Sequence, residues 1–276
     1  VGNGAGGFSG DGGPAVAAAF THIADVASDA AGNLFIVDQF NHRIRRVDAT
    51  TGIVATVAGS SLPAGFSGDG GLATSAALHT PLGVALDATG NLYIADYFNH
   101  RIRRVDTSGT ITTYVGSGAN GFAGDGGPAT SASLSFPSGM AFDAAGNLVF
   151  SDEANSRIRR VDAVTGVITT IAGDGVERFA GDGGPATAAS LYYPHGIEFD
   201  AAGNLYIAEI FNHVVRRIAP DGTVSTIAGD GGQQFSGDGG PATSASLYEP
   251  YDVAVDAAGN VFVADGANNR IRRVAR

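Results

Sequence analysis

The sequence of 276 residues contains no cysteine, no tryptophan and no lysine. The absence of cysteine excludes disulfides, thiolate metal sites and thiol nucleophiles, and the absence of lysine excludes Schiff-base chemistry. No apolar run approaches the ~20 residues that cross a bilayer, and the N-terminus lacks the features of a signal peptide. Zero cysteine is compatible with either side of a bacterial membrane. The expectation is a soluble bacterial domain, extracytoplasmic or secreted.

Positive charge is also scarce, because 16 basic residues face 27 acidic ones and the net charge is −11. Fourteen of the 16 arginines lie in a run that recurs along the chain, as in 43–47 and 101–105. The arginines therefore belong to a repeated scaffold rather than to a basic patch. A surface of this charge repels nucleic acid and anionic membranes. We expect neither nucleic acid nor an inserted membrane as a partner.

What the chain does contain is one motif five times over. Equivalent aspartates of a Gly-Asp-Gly-Gly phrase are spaced 58, 56, 57 and 56 residues apart, at Asp11, Asp69, Asp125, Asp182 and Asp238. A Gly-Asn phrase gives the same spacings at Asn33, Asn91, Asn147, Asn204 and Asn260. A residue present in every copy most simply maintains the scaffold, whereas a residue that breaks the pattern marks where function was added.

The second copy illustrates the structure predicted for each repeat. Four β-rich runs, at 82–86, 92–96, 101–105 and 110–115, are separated by tight turns. Such runs predict a four-stranded antiparallel meander. A Gly-rich stretch and one short helical turn then lead to the next copy. Five such sheets bury their faces by radial stacking, which predicts an all-β propeller.

Phrases such as 137–148 and the Asn-His-Arg-Ile-Arg-Arg-Val runs at 41–47 and 99–105 resemble NHL repeats. The resemblance spans all five copies and implies a β-propeller fold. Relatives of this propeller include protein-binding and RNA-binding modules, an amidating lyase and, more distantly, lactonases and strictosidine-synthase-like enzymes. The resemblance is therefore specific for the fold and not for function. Ser156 and Asn269 replace the signature histidine, and Val214 replaces an arginine.

The five copies predict nineteen strands, because the last copy stops before a fourth strand. We expect one propeller domain over residues 1–276, with five blades of which the last lacks one strand. The alternative is that the chain forms part of a six-bladed ring. A missing blade would leave sheet faces and edges exposed, which favours five blades.

Several repeated residues could suggest chemistry, but they are better explained as structure. An acid ends each second strand, at Asp38, Asp96, Asp152, Glu209 and Asp265, and an Asn follows three residues later. Short polar side chains at turns bond local backbone, and arginine pairs with carboxylates. The Gly-Asp-Gly-Gly loops lack the lysine of a phosphate-binding loop. His42, His100 and His213 share one turn position. We predict neither a metal nor a cofactor.

Variation between copies concentrates on the loops that enter the first strand and that join the second and third strands. These loops share one end of each blade, which we name the variable end. The candidate ligand-binding residues there are His22, Asp25, Tyr97, Glu153, Tyr192, Tyr193, Tyr248, Glu249, Tyr251 and Asp252. Aromatic and acidic side chains around a concave surface suit a small organic ligand, a glycan or a peptide.

One first-strand position holds Ala27, Ala85, Ala141 and Ala254 but Glu198 in the fourth copy. A carboxylate crowded near the axis would be partly desolvated, which would raise its pKa and make it a candidate acid or base. His195 lies three residues earlier, although strand alternation places the two side chains on opposite faces. The alternative is a structural ion pair between Glu198 and an arginine.

Three functions remain open at this point. The favoured one is a non-catalytic module that binds a protein, peptide or glycan through the variable end. The second is a hydrolase or lyase with His195 and Glu198 as catalytic residues. The third is a structural or engineered repeat scaffold. The binding module is favoured because the sequence shows no complete catalytic constellation.

Overall fold

The computed structural model describes residues 1–60 and 63–275. In these ranges the backbone forms nineteen β-strands joined by turns and short 3-10 segments, without an α-helix. The strands build five sheets, four with four strands and one with three. The prediction of an all-β propeller-type chain, with five antiparallel blades and a short last blade, is confirmed. Two compact units carry these sheets.

Unit 1 comprises Val1–Ala123 and Ala129–Pro137 and carries two four-stranded sheets. The first sheet contains β1 (Ile23–Ser28), β2 (Leu34–Asp38), β3 (Arg43–Val47) and β4 (Val54–Ala58). The second contains β5 (Val84–Leu86), β6 (Leu92–Asp96), β7 (Arg101–Val105) and β8 (Ile111–Val115). The strands of each sheet follow chain order, so each sheet is a meander.

Unit 2 comprises Gly124–Pro128 and Ser138–Arg276 and carries the other three sheets. The third sheet contains β9 (Pro137–Phe142), β10 (Leu148–Asp152), β11 (Arg157–Val161) and β12 (Ile168–Ala172). The fourth contains β13 (Pro194–Phe199), β14 (Leu205–Glu209), β15 (Val214–Ile218) and β16 (Val224–Ala228). The fifth contains β17 (Pro250–Val255), β18 (Val261–Asp265) and β19 (Arg270–Val274). That the whole chain is one domain stays a prediction.

The strand predictions for the second copy agree closely with the structure. Strands β6 and β7 have the predicted bounds, and β8 begins one residue later. Strand β5 begins at Val84 rather than at Leu82, although Leu82 and Gly83 still hydrogen-bond to Ala95 of β6. The predicted helical turns are 3-10 segments such as Ala15–Ala17, and Pro14 precedes the first residue of that segment in extended conformation.

An ion cluster inside each blade explains why arginine and two acids recur together. Arg45 is fully buried, and its guanidinium lies 2.7 Å from Asp11 and 3.8 Å from Asp38. The same pairing with the loop acid and the strand-end acid recurs for Arg103, Arg159, Arg216 and Arg272. The recurrent acids are therefore scaffold residues, as predicted. The role of the Gly-Asp-Gly-Gly aspartate as an arginine partner was not predicted.

The missing strand of the fifth sheet changes burial at one repeated position. Ile44 and Ile102 are 0% exposed, whereas the equivalent Ile271 is 71% exposed. In the complete sheets this residue pairs with the fourth strand, as Ile102 does with Val115. The same residue type at the same repeat position thus lies inside one sheet and on the surface of another.

Candidate functional site

Unit 2 brings together three residues that break the repeat. His195 comes from the fourth copy, Glu153 from the third and Tyr251 from the fifth. The Nδ1 atom of His195 lies 2.9 Å from the backbone carbonyl oxygen of Tyr251. The Nε2 atom of the same ring lies 3.8 Å from Oε2 of Glu153. We name these three residues the His195 cluster.

The hydrogen bond to Tyr251 fixes the tautomer of His195. A carbonyl oxygen only accepts hydrogen bonds, so Nδ1 carries the ring hydrogen and is the donor. Burial disfavours the charged form of the ring, whereas the hydrogen bond to the carbonyl of Tyr251 favours it. Burial dominates and lowers the pKa of His195 to about 4. The ring is therefore neutral near pH 7, and Nε2 presents its lone pair towards Glu153.

Ser151 hydrogen-bonds to the backbone of the same cluster. Its hydroxyl donates a 2.7 Å hydrogen bond to the backbone carbonyl of His195. The equivalent residues of the other copies are apolar: Val37, Ala95, Ala208 and Ala264. This serine is therefore a further departure from the repeat, and it contacts a residue that is itself a departure. Sequence comparison of the copies could have found Ser151, but it was not singled out.

Glu153 places negative charge near two tyrosines, Tyr193 and Tyr251. Its side chain is almost fully buried at the start of the 3-10 segment Glu153–Asn155. Burial first, and then the charge of Glu153, raises the pKa of Tyr193. Burial, Glu249 and Glu153 together raise the pKa of Tyr251. The surroundings of His195 are thus aromatic and negatively charged.

The first strands of unit 2 approach one another closely beside the cluster. A Cβ atom on Gly139 would lie 2.2 Å from the backbone oxygen of His195. A Cβ atom on Gly196 would lie 2.0 Å from Oδ1 and 2.6 Å from the backbone Cα of Asp252. Glycine is therefore required at both positions, because the neighbouring backbone cannot move away cheaply. This close approach holds the backbone of His195 in place.

Other predicted residues of unit 2 lie on the same loops. Tyr192 and Tyr193 pack on Phe211 with ring centroids 5.1 and 4.8 Å away. Tyr248 packs against His213 at 5.5 Å. The phenol of Tyr251 donates to Glu249 at 3.4 Å. Of these residues, Tyr251 belongs to the His195 cluster itself, and the charge of Glu153 acts on Tyr193.

The predicted residues of unit 1 form different contacts. His22 packs on Phe40 at 5.2 Å, and Tyr97 packs on Phe136 at 4.9 Å. Asp25 stands where the second, third and fourth copies have glycine and the fifth has Asp252, and it accepts the backbone N–H of Val84 at 2.8 Å. Burial raises the pKa of Asp25. The contact of Tyr97 holds two loops together, and that of Asp25 joins two first strands.

Glu198 has different neighbours from His195. The Glu198 side chain is exposed rather than partly desolvated. It lines an open cleft of about 730 Å³ together with Asp143, Arg160 and Asp200. These residues lie at the end of the blades that carries the uniform turns. The described contacts therefore do not bring Glu198 and His195 together.

The side chains of the repeated histidines accept hydrogen bonds from backbone N–H groups. Nδ1 of His42, His100 and His213 accepts the N–H of Thr80, Phe136 and Glu249 at 3.0, 3.3 and 3.1 Å. Each of these donors has a positive φ, between 50 and 55°. The bonds hold a backbone conformation that non-glycine residues rarely adopt. Within the described ranges, His, Asp and Glu side chains nowhere gather in groups of three that could hold a metal ion.

Comparison with known proteins gives this chain its class. The model of the Teneurin NHL domain matches residues 61–123, and that of the NHL repeat matches residues 247–274. Together with the five repeated sheets, these matches define a β-propeller built from NHL repeats. The resemblance to NHL repeats is therefore confirmed over both matched segments.

Relatives are larger than this chain. It is 31% identical to mouse Teneurin-1 over 234 residues, which cover 76% of the chain and 8% of Teneurin-1. It is 29% identical to Arabidopsis thaliana Protein SUPPRESSOR OF QUENCHING 1, chloroplastic, over 93% of the chain and 25% of that protein. An auxiliary nutrient binding protein from Bacteroides ovatus aligns with a TM-score of 0.65 at 18% identity, over 93% of this chain and 59% of that one. The last similarity shows the fold alone.

Proposed function

We propose that this chain is a non-catalytic binding module whose variable end in unit 2 receives a peptide or protein at the His195 cluster. The observation that carries the proposal is the contact between three departures from the repeat, contributed by three successive copies. His195 contacts Tyr251 on one side and Glu153 on the other. Residues that differ from their repeat equivalents only because folding requires it would have no reason to lie together at the variable end of the blades.

The surroundings of the cluster suit recognition. Tyr251 is 43% exposed, and the His195 side chain is 18% exposed. Exposed tyrosines beside buried polar groups are typical of binding surfaces, because the ring offers area and the hydroxyl offers a hydrogen bond. Among the described residues, no helix is long and apolar enough to cross a membrane. An extracytoplasmic or secreted location stays a prediction.

A selection experiment tests this proposal. Peptides from a random phage-displayed library are enriched on the purified chain, and their affinities are measured for two isosteric variants. Glu153→Gln removes charge at the cluster, and Glu198→Gln removes the same charge in the cleft at the other end. We expect at least tenfold weaker binding for Glu153→Gln and less than twofold change for Glu198→Gln. The reverse order would exclude the His195 cluster as the binding site.

A further inference from the structure

Val149 stands at a repeat position that is aromatic in every other copy. The position is the second residue of the second strand, and its other occupants are Phe35, Tyr93, Tyr206 and Phe262. It lies opposite an arginine of the third strand, because Val149 pairs with Arg160 as Tyr206 pairs with Arg217. The third sheet therefore lacks a ring that the scaffold elsewhere keeps.

The ring of Tyr206 packs between the fourth and fifth sheets. Tyr206 is 7% exposed and belongs to a core cluster with Val253, Val261 and Val263 of the fifth sheet; the cluster is flanked by Ile227, Val255 and Val274. The hydroxyl of Tyr206 donates a 3.1 Å hydrogen bond to Oδ2 of Asp200, in the turn after the first strand. Tyr93 donates the equivalent bond to Asp87 at 3.3 Å. Two copies thus join a buried ring to this turn through a phenol.

The corresponding region between the third and fourth sheets is the open cleft of about 730 Å³. Val149 lines it, and its apolar walls are the repeat equivalents of the residues that flank the Tyr206 cluster: Ile171, Phe199 and Ile218. Phe199 is larger than its equivalent Val255, yet the cleft remains beside it. Next to Tyr206 the equivalent cleft is smaller, at about 410 Å³. Side chains that surround a ring in one place therefore border open space in the other.

The cleft also holds the acceptor that a phenol uses elsewhere in the repeat. Asp143 lines the cleft and is the equivalent of Asp200. Both carboxylates accept two backbone N–H groups and the side-chain amide of an asparagine, with Asn147 donating to Oδ2 of Asp143 at 2.8 Å. Asp200 accepts the hydroxyl of Tyr206 in addition, whereas Val149 has no hydroxyl to offer Asp143. Asp143 is thus oriented as a phenol acceptor without the phenol.

We propose that this cleft binds a small uncharged phenol, whose ring takes the place of the missing aromatic side chain and whose hydroxyl donates to Asp143. An apolar cavity of roughly 150 Å³ admits benzene, so the cleft has room for one ring and a short substituent. A hydroxyl bound to a carboxylate makes a charge-assisted hydrogen bond. Arg160 also lines the cleft and can contact the ring through its guanidinium.

The lining favours a free neutral molecule. Asp143 and Asp200 both border the cleft, so an aromatic ligand that carried a carboxylate would be repelled. The cleft lies between the turns at 143–145 and 200–203. A free molecule can enter between these turns, whereas a tyrosine of a folded partner would bring its own backbone against them. The inference goes beyond the proposed function, because it uses none of the residues of the His195 cluster.

NMR titration of the whole chain tests the inference through the methyl resonances of Ile171 and Ile218. The probes are p-cresol, toluene as the same ring without a hydroxyl, and N-acetyltyrosinamide as a tyrosine within a peptide. We expect saturable shifts with p-cresol and at least tenfold weaker binding of toluene. Absence of saturable shifts, or equal binding of toluene, would overturn the inference. Tighter binding of N-acetyltyrosinamide would assign the cleft to a partner protein and overturn the proposal of a small molecule.

A variant that restores the repeat supplies the matched comparison. Val149→Tyr should weaken p-cresol binding at least tenfold, because the new ring fills the cleft and bonds Asp143. Val16→Tyr adds the same ring at a position of unit 1 that is 69% exposed and should change binding less than twofold. If Val149→Tyr does not fold, Val149→Phe serves instead, since Phe35 and Phe262 occupy the position in other copies. Unchanged p-cresol binding in the folded variant would contradict the inference. Peptide selection at the His195 cluster is measured separately, so either proposal can fail while the other stands.

Discussion

The Nδ1–H group of His195 donates a 2.9 Å hydrogen bond to the backbone carbonyl of Tyr251 and so joins two successive copies of the repeat. The bond orients a side chain that only the fourth copy possesses by means of a backbone group from the fifth. The opposite nitrogen then faces Glu153 of the third copy at 3.8 Å. A nearly uniform scaffold thus positions three non-uniform side chains without a specialised domain.

The first prediction concerns the pH dependence of stability. Burial lowers the pKa of His195 from 6.5 to about 4 in the folded state. The unfolded chain therefore binds more protons between these values, and stability falls as the pH drops through this window. The loss amounts to at most about 3 kcal/mol. Urea unfolding at pH 7 and pH 4.5 should show a smaller loss for His195→Gln than for the wild type. Identical losses would mean that His195 titrates alike in both states.

The second prediction concerns the buried arginines. Arg45→Met leaves Asp38, which is 0% exposed, without its guanidinium partner. Such a loss costs about 3–5 kcal/mol. Arg46 lies in the same strand, but its 3.1 Å bridge to Asp48 is exposed to solvent. Arg46→Met should cost less than about 1 kcal/mol. Equal unfolding free energies for the two variants would contradict the scaffold role of the arginine.

The third prediction uses one residue type in two environments. Ile102→Ala removes a side chain that is 0% exposed and should cost about 2–5 kcal/mol. Ile271→Ala removes the repeat equivalent, which is 71% exposed, and should change stability by less than about 0.5 kcal/mol. Urea unfolding measures both. A large loss for Ile271→Ala would show that this side chain is covered in solution.

The fourth prediction concerns Ser151, which donates to the carbonyl of His195 at 2.7 Å. Ser151→Ala should cost about 1 kcal/mol and shift the His195 ring resonances, because the hydrogen bond is lost. The fold should persist, since Ala95 and Ala208 occupy the position in other copies. Ser108→Ala, at an exposed turn, is the control and should leave those resonances unchanged. Unaltered resonances in Ser151→Ala would show that the serine does not position His195.

The repeat made most of the fold predictable. Five observations of one pattern predict the bounds of β6 and β7 and the three-stranded last sheet. Strand β5 was less predictable, because the hydrogen bonds of Leu82 and Gly83 to Ala95 precede the regular strand. Comparing copies also identified the recurrent acids and histidines as scaffold.

The site was predictable only as separate residues. His195, Glu153 and Tyr251 each stand out against their repeat equivalents, but they lie 42 and 56 residues apart in the chain. Their contact depends on how neighbouring sheets pack, which the repeat pattern does not contain. Glu198 also stands out, yet its side chain is exposed in the cleft beside the uniform turns. A departure from the repeat therefore marks a position without giving its environment.

Hydrogen exchange measured with and without a selected peptide tests the central claim most directly. The account predicts protection of the backbone amides at 153–156, 192–193, 195–197, 249 and 251–253, which carry the His195 cluster. The turns at 143–147, 200–204 and 256–260 should exchange at unchanged rates. Protection of those turns, with unchanged exchange around His195, would place the binding surface at the opposite end of the blades and contradict the account.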